Sequence, residues 1–169
     1  RSSPDVGDGL TAIAVYVVLY AALVVGTFSV VTVVAQSSTD GATSLDAFKG
    51  IGKSNPVLAL ALTVLLLAQA GVPLTSGFVA KFGVVQAAVS VGSYKLAVIA
   101  MICAVIAAFV YLRIMVSMWL SDATNPVSVK VPLFSTIAIA IAVSVTLVIG
   151  VLPSLLLDLT SNLTQLASK

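Results

Sequence analysis

Histidine and glutamate are absent from this sequence, and cysteine occurs once, at Cys103. Without histidine the usual imidazole metal ligands and acid–base catalysts are missing. One cysteine permits neither an internal disulfide nor a cysteine metal cluster, and Cys103 is expected to pack as a small apolar residue in a helix. A Gly-rich dinucleotide fingerprint is missing too, so no nicotinamide, flavin, iron–sulfur or metal site is expected on this chain. No nucleic-acid partner is expected either. Charge is scarce: 8% of residues carry it, against about a quarter in a soluble domain. The acidic residues are all aspartates, Asp5, Asp8, Asp40, Asp46, Asp122 and Asp158.

What is present is apolar. Hydrophobic residues make up 60% of the chain, and its mean hydropathy is +1.19. In water such a surface would aggregate, so the lipid bilayer is the expected solvent and the fold class is an all-α integral membrane bundle. A membrane helix needs ~20 mostly apolar residues to cross ~30 Å of hydrocarbon. Stretches 10–35, 56–90, 95–120 and 131–157 qualify. Between them lie a polar loop at 36–56, a short turn "VGS" at 91–93 and "SDATNPVSVK" at 121–130. Residues 1–169 are expected to form a single helical membrane domain without internal repeats. The opening "RSSPDVGDG" has the character of a loop and not of a signal peptide, as if the chain were the C-terminal part of a longer protein. Lys49, Lys53, Arg113 and Lys130 flank the face with the longer loops, and Arg1, Lys95 and Lys169 the other. The positive-inside rule then favours cytoplasmic loops and external termini, by a narrow margin.

The second span is the informative one. As one helix, residues 56–90 would extend about 52 Å at ~1.5 Å per residue, too long for a ~30 Å core. In its middle stands "QAGVPLTSGFVAKFGVV", residues 69–85. Pro73 lacks an N–H and biases Val72 away from helical angles, and Gly71 adds backbone freedom. Two half-helices, 56–70 and 75–90, joined by "GVPL", are therefore expected. Such breaks persist at membrane depth only where protein or water satisfies the freed backbone groups. Gln69, Thr75 and Ser76 stand beside the break and could do so, or could hold a water chain. Broken helices near the midplane recur in ion-coupled transporters.

Lys81 is the decisive residue. A central lysine costs ~2.5–3.5 kcal/mol on insertion scales, and such residues usually face a wet or protein-lined interior. Ser90, the end of the span, is roughly 13 Å away along the helix, beyond the reach of a snorkelling ammonium. Desolvation disfavours a charged lysine and a nearby carboxylate favours it, so a lysine between these influences can exchange a proton when a neighbour moves. No carboxylate lies inside any span. The expected partner is therefore on another chain, on a further part of this one, or another lysine reached through water. Arg113 and Tyr111, in "FVYLRIMVSMW", are candidates for a polar path. The alternative for Arg113 is snorkelling, with Trp119 as an interfacial anchor. Tyr16 and Tyr20 share a helix face. Ser29, Thr32, Thr63, Ser117, Ser144 and Thr146 are expected to satisfy backbone or neighbouring helices, and Pro153 to kink or stop the last span.

On "LALALTVLLLAQAGVPLTSGFVAKFGVV", residues 58–85, the sequence resembles the antiporter-like membrane subunits of respiratory complex I. The Lys81–Phe82 pair makes it similar, within that group, to subunit N of bacterial NADH–quinone oxidoreductase. Segments 14–31, 46–62 and 98–119 resemble the flanking parts of that subunit; the last helix resembles it least. The resemblance implies about fourteen helices built from two inverted five-helix repeats, each with a broken helix, and places these four spans last. It implies that Lys81 is the outward proton-path residue, that partners are the adjacent antiporter-like and small membrane subunits together with the lipid bilayer, and that the site is the bacterial plasma (inner) membrane. The complex would use NADH, FMN, iron–sulfur clusters and quinone, with none held by this chain. Gln69 and Ala70 stand where the family often has other small residues. Leu74 replaces a frequent second proline, a change expected to leave the break intact. A sodium/proton antiporter subunit of the same ancestry and a structural subunit whose Lys81 pairs with a partner are the alternatives.

Overall fold

The computed structural model describes residues 6–37, 45–122 and 129–154, with side chains in the first helix from residue 13 onward. The elements are α1 (Val6–Ser37), a 3-10 turn η1 (Leu45–Phe48), the one-turn α2 (Ile51–Ser54), α3 (Pro56–Ala70), α4 (Ser76–Ser90), α5 (Tyr94–Leu120) and α6 (Leu133–Val151). Stretches 13–37, 94–120 and 133–151 are each long and apolar enough to cross a membrane, while α3 and α4 are the two shorter halves of the broken span. The break therefore falls where Gly71 and Pro73 place it, with one shift: Thr75 caps α4 and does not open it.

α1 begins at Val6, before the expected Leu10. Once a helix is nucleated, each added residue contributes a hydrogen bond, which offsets the ~1 kcal/mol disadvantage of a glycine. α6 ends at Val151, with Leu152 as its C-cap and Pro153 directly behind it, so Pro153 acts as a stop; residues 155–157 of the expected span lie outside the described residues. The 36–56 stretch is more than a polar connection. Phe48 and Ile51 are buried in the main core with Val30, Val33, Leu62 and Met118, because the three-residue spacing of Leu45, Phe48 and Ile51 puts apolar groups on one side of consecutive turns. Lys53 then pairs with Asp122 at 2.5 Å on the exposed surface, and its ammonium holds the Asp122 carboxyl below the usual carboxylate range.

α3 lies at the centre. Its buried residues Leu58, Leu62, Leu65 and Gln69 follow the three-and-four spacing of a helical stripe, with Ala59 and Leu66 beside them. Close helix approach relies on small residues. A Cβ on Gly26 of α1 would come within 2.4 Å of the Ala142 Cβ on α6. A Cβ on Gly77 would lie 1.8 Å from the Ala68 carbonyl oxygen, and one on Gly150 2.2 Å from that of Leu74. α5 displays Ile99, Ile102, Val105, Ile106 and Phe109, all more than half exposed. An apolar face of this extent is the surface of a membrane helix turned to lipid or to neighbouring helices.

The elbow contains a conformation that the sequence did not announce. Leu74 has φ 68°, the left-handed region that disfavours a side chain by about 1–2 kcal/mol. Proline is locked near φ −65° and cannot adopt this turn. Leu74→Pro is thus expected to rebuild the elbow and lower the melting temperature of the complex. Leu74→Gly should leave it unchanged or raise stability by up to about 1 kcal/mol, the relieved strain less the entropy of a glycine. A second pair isolates the α3–α4 contact. Gly77→Ala should reduce assembly and thermal stability, whereas Gly83→Ala, whose Cβ would meet nothing within 4 Å, should be neutral or mildly stabilising; both are read by thermal melting in lipid nanodiscs.

Candidate functional site

A helix that ends inside the bilayer leaves its last four carbonyls without intrahelical partners. In α3 these belong to Leu67, Ala68, Gln69 and Ala70, and each has a donor. Gly71, in the left-handed region at φ 88°, donates its N–H to Leu67 at 3.1 Å and Ala68 at 3.0 Å, and Val72 donates to Leu67 at 3.1 Å. This is a Schellman turn, and Pro73 follows where a helix cannot resume. The remaining two carbonyls are taken by Lys81: its Nζ donates to the Gln69 oxygen at 2.6 Å and to the Ala70 oxygen at 3.3 Å.

The geometry of α4 explains why Lys81 reaches them. Side chains on a helix lean toward its N-terminus, and Lys81 lies in the second turn of α4, so its ammonium is carried back to the elbow. There it meets the negative end of the α3 dipole, a favourable place for a cation. Gly71 makes room: a Cβ at that position would come within 3.1 Å of the Lys81 Cδ. Lys81 is half-buried. Its partners are thus backbone carbonyls, a class of acceptor that carries no side-chain signature in the sequence. Among the described residues no acidic side chain pairs with it.

The other side of the elbow is tied to two neighbours. The Thr75 hydroxyl donates to the Val72 carbonyl at 2.6 Å and accepts from the Phe78 N–H at 3.4 Å, an N-cap for α4. The Ser76 N–H donates to the Thr146 hydroxyl of α6 at 3.3 Å, and the two hydroxyls lie 2.7 Å apart. The Gln69 amide donates to the Thr27 hydroxyl of α1 at 2.5 Å and to the Leu23 carbonyl at 3.4 Å. Gln69, Thr75, Ser76 and Thr146 are all buried. Polar groups this deep hold their positions because leaving them unpaired costs roughly 1–3 kcal/mol each.

Gln69, Gly71, Pro73, Thr75, Ser76 and Lys81 therefore come together at one elbow, as their proximity in sequence required. Tyr111 and Arg113 do not join them. Tyr111 places its hydroxyl 3.5 Å from that of Tyr20, whose ring stacks on Tyr16 at 5.1 Å. Arg113 lines a cavity between α1, α3, α5 and η1. Trp119 donates its indole N–H to Thr63 at 2.9 Å. Thr27 was the residue least visible in the sequence. Its signal was positional: it follows Gly26 on the α1 stripe that includes Leu19, Leu23 and Val30, where a hydroxyl is the exception.

Residues 5–108 match the family described as NADH:quinone oxidoreductase/Mrp antiporter, TM. NADH-quinone oxidoreductase subunit N of Saccharopolyspora erythraea is 44% identical over 89% of this chain and 29% of its own length. The subunit of the same name from Parafrankia sp. is 40% identical over 92% of this chain and 30% of its own. The chain thus spans about 30% of the length of these relatives. A solved structure of respiratory complex I from Thermus thermophilus with bound aureothin shares the fold: the TM-score is 0.75 at 24% identity, covering 88% of this chain and 34% of that one. With its broken helix and apolar spans accounted for, and more than half its length matched, the chain belongs to the NADH:quinone oxidoreductase/Mrp antiporter family of membrane proteins.

Proposed function

We propose that this chain forms part of a proton-translocating membrane subunit of NADH–quinone oxidoreductase, in the bacterial inner membrane, and that Lys81 relays the proton. The observation that carries this reading is the half-buried Lys81 ammonium resting on the Gln69 and Ala70 carbonyls at a break inside a membrane span.

The chemistry follows from that contact. Two carbonyl acceptors and the end of a helix dipole stabilise the charged amine, while its low-dielectric surroundings favour the neutral one. A small displacement of α4 against α3 removes the acceptors and shifts the balance, so the elbow converts motion into release or uptake of a proton. Redox chemistry would occur on other subunits, which would hold NADH, FMN, iron–sulfur clusters and quinone; this chain contributes only the protonatable group and its setting. Its partners would be adjacent antiporter-like and small membrane subunits. The family description supports a second reading, a subunit of a cation/proton antiporter, in which the same elbow serves ion exchange without redox drive. The carbonyl contacts also suit a purely structural Lys81 that caps the helix.

The test is proton pumping by the assembled complex in inverted membrane vesicles carrying Lys81→Ala, with electron transfer and subunit content measured alongside. The expected outcome is pumping reduced at least several-fold per electron in a complex that still assembles and reduces quinone. Undiminished pumping would reject the relay and leave Lys81 as a helix cap.

A further inference from the structure

The buried face of α6 consists of Ile139, Ala142, Thr146 and Gly150, spaced by three and four residues. The last three each meet a different neighbour. A Cβ on Gly26 of α1 would lie 2.4 Å from the Ala142 Cβ, so α1 and α6 cross there with almost nothing between their backbones. One turn on, about 6 Å along the axis, Thr146 accepts the Ser76 N–H at 3.3 Å, at the start of α4. After a further turn, a Cβ on Gly150 would come within 2.4 Å of the Leu74 carbonyl and the Thr75 Cα.

α1 does the same for the other half of the break. Thr27, the residue after Gly26, accepts from the Gln69 amide at 2.5 Å, near the end of α3. Leu65, one turn before Gln69, closes the third side of the crossing, its Cδ1 3.2 Å from where a Gly26 Cβ would stand. The crossing therefore lies between two grips. Thr27 holds the residue whose carbonyl accepts from Lys81 at 2.6 Å, and Thr146 holds the first residue of the helix that carries Lys81.

The separation of α1 from α6 thus bears on the separation of the ammonium from its acceptors. Long side chains between helices can change rotamer and absorb a displacement. At Gly26 there is no side chain to do so, and close-packed interiors transmit strain. We infer that Gly26 and Ala142 are positioning residues for Lys81, acting through Thr27 and Thr146: the α1–α6 crossing sets where the α3 carbonyls stand relative to the ammonium. Its effect on pumping rests on the proposed relay; the placement of the ammonium does not. The tolerance is narrow. Ordinary contact begins at 3.4 Å against the 2.4 Å available, so a methyl at position 26 forces the helices about 1 Å apart, enough to take a hydrogen bond out of its ~2.7–3.2 Å range.

The intact complex in inverted vesicles tests this, with protons pumped per electron, quinone reduction and subunit content measured together. Gly26→Ala should at least halve the protons per electron in complexes that assemble and reduce quinone. Adding Ala142→Gly removes the methyl that the new one strikes, and should restore most of the loss. Thr27→Val, which keeps the shape and removes the hydroxyl, should also lower the ratio, whereas Thr27→Ser should keep it; this pair decides the matter if Gly26→Ala does not assemble. A purely structural role would lower subunit content and leave the ratio per assembled complex unchanged. Beside a Lys81→Ala complex that pumps less, an unchanged ratio in Gly26→Ala, a loss that Ala142→Gly does not restore, or equal ratios for Thr27→Val and Thr27→Ser would overturn the inference. A second readout needs no pumping. Substitutions in one hydrogen-bond network are non-additive in stability, while independent ones add. The fall in melting temperature of the purified complex carrying both Thr27→Val and Lys81→Met should be smaller than the sum of the single falls, because both act at Gln69. If Lys81→Ala pumps normally, the relay fails and melting decides: non-additive falls support the positioning, and additive falls overturn it.

Discussion

The hydrogen bonds from the Lys81 ammonium to the Gln69 and Ala70 carbonyls are the constraint on which this structure turns. A helix broken within the bilayer exposes carbonyls that neither lipid nor the helix can satisfy, and a lysine buried in the same region is unfavourable by itself. Brought together, each removes much of the other's cost. The arrangement requires several things of the chain at once. Gly71 must turn left-handed and stay small, α4 must start close enough to α3 for the side chain to reach back, and Gly77 must let the Ala68 carbonyl pass.

The same elbow is anchored on both flanks by hydroxyl residues from other helices. Thr27 on α1 receives the Gln69 amide and Thr146 on α6 receives the Ser76 N–H. A displacement of α1 or α6 therefore acts on the residues that surround Lys81, through contacts made of two hydrogen bonds each. Left-handed Leu74 adds a strained joint between these anchors. An elbow of this kind has few ways to rearrange, and those that exist alter the acceptors available to the lysine.

Much of this was legible in the sequence because the signals were local. Apolar runs of membrane length gave the spans, and Gly71 with Pro73 located the break to within a residue of the helix ends. Lys81 stood out because a charge has so few places in a bilayer. What the sequence did not disclose depended on contacts between distant residues. Charge chemistry points a buried lysine to a carboxylate, whereas backbone carbonyls, which no residue code marks, supply the acceptors. Thr27, 42 positions from Gln69 in the chain, carries a hydroxyl like many others in the spans. Leu74 looked like a neutral replacement for proline until its φ of 68° showed a turn that proline could not form. The 36–56 loop concealed a packed turn because its three apolar residues are diluted by polar neighbours.

The central claim is that Lys81 acts through release of its proton and not merely through its charge. The most direct measurement is the number of protons pumped per electron by the intact complex carrying Lys81→Arg. Arginine keeps a positive donor at the elbow and can cap the same carbonyls, but it does not deprotonate in proteins. The account predicts a complex that assembles with near-normal thermal stability and reduces quinone, yet pumps fewer protons per electron. Full pumping stoichiometry with arginine at this position would contradict it, because a fixed charge would then suffice.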